Sequence, residues 1–226
     1  MHMRILDFIA PEVQKPQTYI GEFYRDGKMI FSAVLTGGTP TFPTGYKQGA
    51  FSITLNQRNP TRSSTGYLAN IGWMASGYAQ VASVLRETLE KCENYTCALA
   101  KLQNDYTSAP VYFILAGTKD YEGVVISRDQ DGPVKNGLQF LDQITWYLVQ
   151  TNQDHFKGDC PERCTAANNN FKSLGQDKAT VTSVFDEVLN VAPNLNSNSI
   201  YTTVMIPSAG LFLTEIANGT YIATDL

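Results

Sequence analysis

The sequence predicts an α+β fold in which β-sheets are layered against separate groups of helices. The predicted elements follow the order strands, helices, strands, helix, strands, and the 226 residues contain no internal repeat. Hydrophobic residues make up 43% of the chain and charged residues 17%, which supports a buried core and excludes a disordered chain. Because no change in composition marks a boundary, we expect a single domain over residues 1–226.

The first third of the chain predicts two strands separated by loops. Residues 9–27 are interrupted by Pro11, Pro16 and Gly21, so we expect them to be irregular. Residues 28–35 (KMIFSAVL) form a candidate strand, which a loop follows as far as residue 45. The second strand is predicted at residues 50–55 (AFSITL), before a polar loop.

The remaining elements are predicted from their spacing. Apolar intervals of three and four indicate one or two helices within 76–104 and another helix at 180–189. Hairpins are predicted from 111–116 with 123–127, and from 200–206 with 211–216. Residues 145–150 (TWYLVQ) are apolar at nearly every position and predict a strand covered on both faces. Residues 153–175 are polar and rich in asparagine, which predicts a long loop of the kind that often carries function.

Composition and charge exclude two broad classes. The formal net charge is −4 and the basic residues are scattered, whereas nucleic-acid binders show a basic patch. No apolar run approaches the roughly 20 residues of a membrane-spanning helix. We therefore expect neither a nucleic-acid partner nor a transmembrane segment, and no signal peptide is apparent.

The four cysteines form two close pairs, Cys92 with Cys97 and Cys160 with Cys164. Such pairs are compatible with disulfides in an oxidising compartment, although connectivity cannot be deduced and free thiols remain an alternative. Zinc is disfavoured because neither histidine lies at ligand spacing from the cysteines. No other spacing implies a metal or an organic cofactor.

Two N-x-Thr acceptors, at Asn94 and Asn218, are candidate glycosylation sites. Such three-residue motifs also occur by chance. They therefore suit the same oxidising compartment without establishing it.

Standard catalytic motifs are absent, with no G-x-S-x-G elbow, phosphate loop or H-E-x-x-H. Strand ends and their loops usually carry functional sites. Polar residues do follow the predicted strands, in three groups: Asn56-Gln57-Arg58, Arg128-Asp129, and Thr151-Asn152 with Asp154. Ordinary caps and turns use the same residue types, and the pattern alone favours that interpretation.

Several segments resemble one family in the family's own order. Residues 146–152 (WYLVQTN) followed by Asp154 are similar to the W-x-x-V-Q-T-N-x-D signature of acid ceramidases. The other matching segments are VLTG at 34–37, GAFSITLN at 49–56, APVYFIL at 109–115, GVVISRD at 123–129 and IYTT at 200–203. The resemblance covers about residues 15–216 and extends to the N-acylethanolamine-hydrolysing acid amidases.

The resemblance implies a four-layer αββα sandwich of the N-terminal-nucleophile hydrolase type. In this family a precursor cleaves itself and exposes a cysteine whose thiolate attacks the amide carbon, with its own α-amine as the base. Preorganised donors then stabilise the tetrahedral intermediate.

The resemblance assigns the family's site residues to positions in this sequence. Arg4 and Asp7 match the family's R-x-x-D motif, which implies that Arg4 contacts the carbonyl or the nucleophile and that Asp7 orients the α-amine. Asn152 matches the oxyanion-hole asparagine. Arg163 matches a later arginine, although cysteines flank it where the family has other residues. Gln57 stands where the family has a glutamate, so an acidic role is not retained there.

The resemblance also implies parts that this sequence lacks. The nucleophilic cysteine would lie upstream of Arg4, and none of the four cysteines aligns with it. We therefore expect a catalytic subunit that is incomplete at its N-terminus, together with a smaller α-subunit from the same precursor.

Three functions stay open: an amidase acting on N-acyl sphingoid bases, an amidase acting on N-acylethanolamines, and a catalytically dead relative that binds lipids or a partner. The resemblance implies a lysosomal or extracellular location and allows peripheral contact with lipid.

Overall fold

Two antiparallel sheets form the centre of the computed structural model, which describes residues 1–39, 41–58, 67–158, 160–217 and 220–223. The strands are β1 (His2–Asp7), β2 (Thr18–Arg25), β3 (Lys28–Thr36), β4 (Thr44–Lys47), β5 (Phe51–Gln57), β6 (Val111–Ala116), β7 (Gly123–Arg128), β8 (Pro133–Phe140), β9 (Ser199–Ile206), β10 (Leu211–Ile216) and β11 (Thr220–Ala223). The helices are α1 (Pro11–Gln14), α2 (Tyr67–Ala75), α3 (Val81–Lys91), α4 (Tyr95–Asn104), α5 (Glu162–Leu174) and α6 (Val181–Val184), the last continued by a π-helical turn (Phe185–Leu189).

The larger sheet contains β2 to β8 in chain order, and the smaller sheet has the order β1-β9-β10-β11. Strand β1 pairs with β9, with Arg4 opposite Thr203. Since side chains alternate along a strand, β1 directs Arg4 towards the larger sheet and Asp7 towards α5.

Helices α3 and α4 cover the outer face of the larger sheet. Leu85, Leu89 and Leu102 are fully buried there against sheet residues such as Phe51 and Phe113. The two helices therefore bury the apolar faces that the amphipathic spacing predicts.

Helices α5 and α6 cover the outer face of the smaller sheet, where Ala167, Leu174, Val184 and Val188 pack with Met3. The layers therefore follow the order helix, sheet, sheet, helix. The predicted αββα class is confirmed.

Two predicted segments are wrong. Residues 145–150 form no strand: the segment has no regular secondary structure, and its side chains are only partly buried. It packs instead against α5, where Tyr147 stacks on Phe171 with ring centroids 4.5 Å apart. The predicted loop 153–175 contains α5, whose Ala167, Phe171 and Leu174 recur at helical spacing among the asparagines. Packing of this apolar face overrides the weak helix propensity of asparagine.

Further differences concern short elements. The segment 9–27 contains α1 and β2, the loop predicted to reach residue 45 ends where β4 begins, and β8 follows the predicted hairpin. Strands β2 and β8 carry glycine and polar residues, because they lie at the two edges of the larger sheet. Strand β4 lies inside the sheet and has only four residues.

Both cysteine pairs form local disulfides, Cys92–Cys97 between α3 and α4 and Cys160–Cys164 at the start of α5. Asn94 is exposed and caps α4 by accepting a hydrogen bond from the backbone N–H of Cys97 at 2.9 Å. Asn218 lies outside the described residues. Within the described part of the chain, no helix has the length and apolar character needed to cross a bilayer.

Candidate active site

Arg4 is buried between the two sheets. One terminal nitrogen donates to the backbone oxygens of Pro43 (2.8 Å) and Leu55 (3.2 Å) and to Thr44 Oγ1 (3.3 Å). The other donates to Asn56 Oδ1 at 3.2 Å. Burial lowers the pKa of Arg4, although a guanidinium stays charged at any physiological pH. Arg4 therefore brings a fixed positive charge to the end of β5.

Asp7 lies at the end of β1 and accepts three hydrogen bonds. Oδ2 accepts from Arg163 Nη1 and from Asn196 Nδ2, both at 2.8 Å, and Oδ1 accepts from Ser199 Oγ at 2.7 Å. A carboxylate offers about four lone-pair positions. Asp7 thus keeps capacity for one more donor.

Asn152 connects α5 to the larger sheet. Its Oδ1 accepts from Arg163 Nη2 at 3.1 Å, and its Nδ2 donates to the backbone oxygen of Gln57 at 2.9 Å. The side-chain amide has two N–H bonds. One of them remains for a further acceptor.

Asn56 completes the arrangement. Its Nδ2 donates to the backbone oxygens of Gln150 (3.2 Å) and Thr151 (3.3 Å), while its Oδ1 binds Arg4. Arg4 with Asn56, and Asp7 with Arg163 and Asn152, are two hydrogen-bonded groups that meet where Asn56 and Asn152 bind each other's neighbouring backbone. Together these side chains are here called the polar cluster: Arg4, Asp7, Asn56, Asn152 and Arg163.

Four of the five predicted site side chains lie together, and the fifth residue contributes only through its backbone. Arg4, Asp7, Asn152 and Arg163 belong to the polar cluster, whereas Gln57 is exposed and contributes its backbone oxygen. Asn196, Ser199 and the role of Asn56 were missed. Asn196 and Ser199 lie just before the predicted strand 200–206, outside the three polar groups that follow predicted strands, and no motif indicated them.

The polar cluster lines a cavity of about 1490 Å³. The cavity is larger than most small-molecule sites, which occupy roughly 300–1,000 Å³. Apolar side chains also line it, among them Phe42, Val81, Ile114, Leu141, Trp146 and Leu148. Such a cavity can hold a long apolar ligand with its polar end at the cluster.

Comparison with known proteins shows the family of this chain. No family model matches the chain. Acid ceramidase of Balaenoptera acutorostrata scammoni is 32% identical over 240 residues, covering 96% of this chain and 58% of that protein. N-acylethanolamine-hydrolyzing acid amidase of Oryctolagus cuniculus is 31% identical over 223 residues, covering 96% and 60%.

A solved structure extends the similarity to the whole fold. The Caenorhabditis elegans ortholog of N-acylethanolamine-hydrolyzing acid amidase aligns with a TM-score of 0.79 and 30% identity, covering 92% of this chain and 87% of that chain. The chain belongs to the acid ceramidase and N-acylethanolamine acid amidase family. It spans a little over half the length of the curated relatives it matches.

A second group of charged residues supports the polar cluster in this member of the family. Arg58 binds both oxygens of the buried Asp154, Nε to Oδ1 at 2.7 Å and Nη2 to Oδ2 at 3.0 Å, and it also pairs with Asp129. Tyr112 donates its hydroxyl to Asp154 Oδ1 at 2.8 Å, and Lys157 pairs with Oδ2 at 2.9 Å. Asp154 lies two residues after Asn152, so these contacts hold the segment that presents the asparagine.

Burial alone would raise the pKa of Asp154, but hydrogen bonds from Arg58, Lys157 and Tyr112 outweigh it and lower the pKa to about 2. The sequence had indicated Arg58, Asp129 and Asp154 as strand-end residues without indicating that they meet. Arg128, from the same pattern, faces elsewhere and binds the backbone oxygens of Leu102 and Asp105.

Proposed function

We propose that this chain is the catalytic part of an amidohydrolase that cleaves the amide bond of N-acyl sphingoid bases into a fatty acid and an amine. The observation that carries the proposal is the polar cluster at the wall of a large cavity lined with apolar side chains. An N-acyl chain suits the apolar part of the cavity, and the scissile amide would lie at the cluster.

The reaction proposed is nucleophilic acyl transfer. The four cysteines of this sequence are all disulfide-bonded, so the attacking thiolate would come from a cysteine outside it. The thiolate adds to the amide carbon, the amine leaves with a proton, and water hydrolyses the resulting thioester.

Each residue of the cluster has a role in this proposal. Asp7 would accept a hydrogen bond from the α-amine of the nucleophile, using its remaining capacity. Asn152 would donate its remaining N–H to the oxyanion, where such a donor is worth about 10²–10³ in kcat. Arg4 would contribute positive charge near the reacting carbonyl. Arg163 would hold the side chains of Asp7 and Asn152 in position relative to each other.

N-acylethanolamines are the second candidate substrates. The solved structure that aligns over most of this chain is that of an N-acylethanolamine-hydrolyzing acid amidase ortholog. An ethanolamine head group is smaller than a sphingoid base, but its amide would meet the same polar cluster. Discrimination between the two substrates would therefore depend on the side chains that line the cavity.

The first experiment compares the two substrates. The full-length protein is assayed with an N-acyl sphingosine and an N-acylethanolamine of the same acyl chain. A higher kcat/KM for the sphingosine amide supports the first proposal, and a higher value for the ethanolamide supports the second. Folded protein with no hydrolysis of either substrate would mean a catalytically dead relative.

The proposal also includes a cellular location, a glycosylation site and a second subunit. Two disulfides suit the lysosomal or extracellular location that the family suggests, and the exposed Asn94 suits glycosylation. A smaller subunit would cover the exposed Phe8, Ile9 and Val13, since large apolar side chains gathered at one surface often mark an interface. Mass spectrometry of the purified native protein tests both the glycan and the second subunit.

A further inference from the structure

A disulfide encloses Arg163. Cys160 lies three residues before the arginine and Cys164 directly after it, and the two are bonded with their Cα atoms 5.3 Å apart. The closed loop also contains Glu162, the first residue of α5. The arginine that joins Asp7 to Asn152 therefore lies inside a covalently closed turn.

Arg163 needs such a restraint. Its side chain is 40% exposed, and an exposed ion pair restrains two flexible side chains only weakly. The start of α5 has no side-chain cap, because the N-cap residue is Pro161. An uncapped first turn leaves its N–H groups unpaired and frays readily.

Two hydrogen bonds tie the closed turn to the rest of the helix. Thr165 Oγ1 donates to the backbone oxygen of Cys160 at 2.7 Å, and Asn168 Nδ2 donates to the backbone oxygen of Cys164 at 2.9 Å. The disulfide and these bonds together fix Cys160, two residues before the helix, against the first turn of α5.

We propose that the Cys160–Cys164 disulfide positions Arg163, so that its guanidinium bridges Asp7 and Asn152 across the polar cluster. The disulfide acts through Arg163 and touches no substrate. The expected effect on catalysis rests on the proposed amidase function, whereas the effect on the geometry does not.

The test opens this disulfide and compares it with the other one. Cys160→Ser/Cys164→Ser removes the restraint, and Cys92→Ser/Cys97→Ser is the matched control because it opens a loop of similar length between α3 and α4. In the full-length protein we expect the first variant to lose about 10-fold or more in kcat with little change in KM, since small displacements of positioning groups cost about that much. The control should keep kcat while losing a comparable amount of thermal stability.

A rescue variant separates positioning from general destabilisation. Adding Pro161→Ser to the Cys160→Ser/Cys164→Ser protein supplies an N-cap hydroxyl, which stabilises the first turn by another route. We expect part of the lost kcat to return. Equal kcat in the wild type and both disulfide variants, or no recovery on capping, would overturn the proposal.

Hydrogen exchange provides a readout that does not need activity. Opening the Cys160–Cys164 bond should speed exchange at residues 160–168 and around Asp7 and Asn152, and the control should not. This pattern in a protein without hydrolysis would uphold the positioning and reject the amidase. Unchanged exchange would reject the positioning. Should the double variant fail to fold, the same measurement is made on the Cys92→Ser/Cys97→Ser protein before and after treatment with a phosphine reductant and alkylation, which then opens only the Cys160–Cys164 bond.

Discussion

Asp154 helps to hold the segment that presents Asn152, which lies two residues before it. Its carboxylate is almost fully buried, and the partner Arg58 is equally enclosed, with 4% of its surface exposed. Removing one partner of a buried pair leaves the other charge without compensation, which costs about 3–5 kcal/mol.

We therefore expect Asp154→Asn to lower the free energy of unfolding by about 3 kcal/mol, because the amide removes the buried carboxylate that binds two nitrogens of Arg58 and leaves that charge to Asp129 alone. Denaturant unfolding of the full-length protein measures the loss. Asp120→Asn is the control: it lies in the exposed turn before β7 and should change stability by less than about 0.5 kcal/mol. Equal stability of the two variants would contradict the supporting role of Asp154.

The side chains of the polar cluster could be predicted only where the family resemblance indicated them, and their catalytic roles stay predictions. The V-Q-T-N and R-x-x-D segments indicated Asn152, Arg4 and Asp7, and all three belong to the polar cluster. Asn196, in the loop before β9, and Ser199, the first residue of β9, contact Asp7 from some 190 positions away in sequence. A contact of that kind depends on how the strands pair, which no local pattern records.

Strand β4 and helix α3 approach each other closely at Gly45. A Cβ atom built on Gly45 would lie 2.3 Å from Leu89 Cδ1. Leu89 is fully buried, so it cannot turn away from an added methyl group. Gly45 therefore determines how closely α3 approaches the sheet.

We expect Gly45→Ala to destabilise the protein by about 1–3 kcal/mol, the usual cost of overpacking a core. Thermal or denaturant unfolding measures it. The matched control is Gly72→Ala in α2, where an added Cβ meets nothing within 4 Å. That change should be neutral or stabilising by about 0.5–1 kcal/mol, because alanine has the higher helix propensity. A destabilisation by the control as large as that of Gly45→Ala would point to some other cause.

Elements with strong periodicity were predicted, and those held by tertiary contacts were not. Strands β3, β5, β6, β7, β9 and β10 and helices α3 and α4 carry their own apolar patterns. The segment 145–150 has strand-like composition. However, Asn56 donates hydrogen bonds to the backbone oxygens of Gln150 and the following Thr151, and α5 packs on the aromatic side chains of the segment. Helix α5 is polar over most of its surface, and packing on the smaller sheet stabilises it.

The layer between the two sheets combines buried polar side chains with an apolar cluster that includes Val34 and Phe212. Arg4, His2 and Tyr201 are buried there, and Tyr201 and Thr44 share a hydrogen bond of 2.8 Å between their hydroxyls. The ring nitrogens of His2 lie 3.0 Å from Ser52 Oγ and 3.2 Å from Thr54 Oγ1. Burial, and to a lesser extent the charge of Arg4, lower the pKa of His2 to about 3.

This histidine makes stability depend on pH. Its folded-state pKa lies below the unfolded value near 6.5, so its contribution is present above pH 6.5 and is lost as the pH falls towards 3. We expect the free energy of unfolding to drop by about 2 kcal/mol between pH 7 and pH 5 from this group. Asp154, with its pKa near 2, stays ionised over that interval and contributes no loss.

Denaturant unfolding at the two pH values tests this in the wild type and in His2→Gln. The variant should lose most of the pH dependence between pH 7 and pH 5, whatever its stability at pH 7, because glutamine does not titrate. An identical drop in both proteins would mean that other groups cause it.

The most direct test of the whole account is the turnover of Asn152→Ala in the full-length protein. Asn169→Ala, an exposed asparagine of α5, is the control. With N-acyl sphingosine or N-acylethanolamine as substrate, whichever the protein hydrolyses, we expect kcat to fall by about 10²–10³ in the first variant and to stay unchanged in the second. Unaltered kcat in correctly folded Asn152→Ala would contradict the assignment of the polar cluster as the amidase active site.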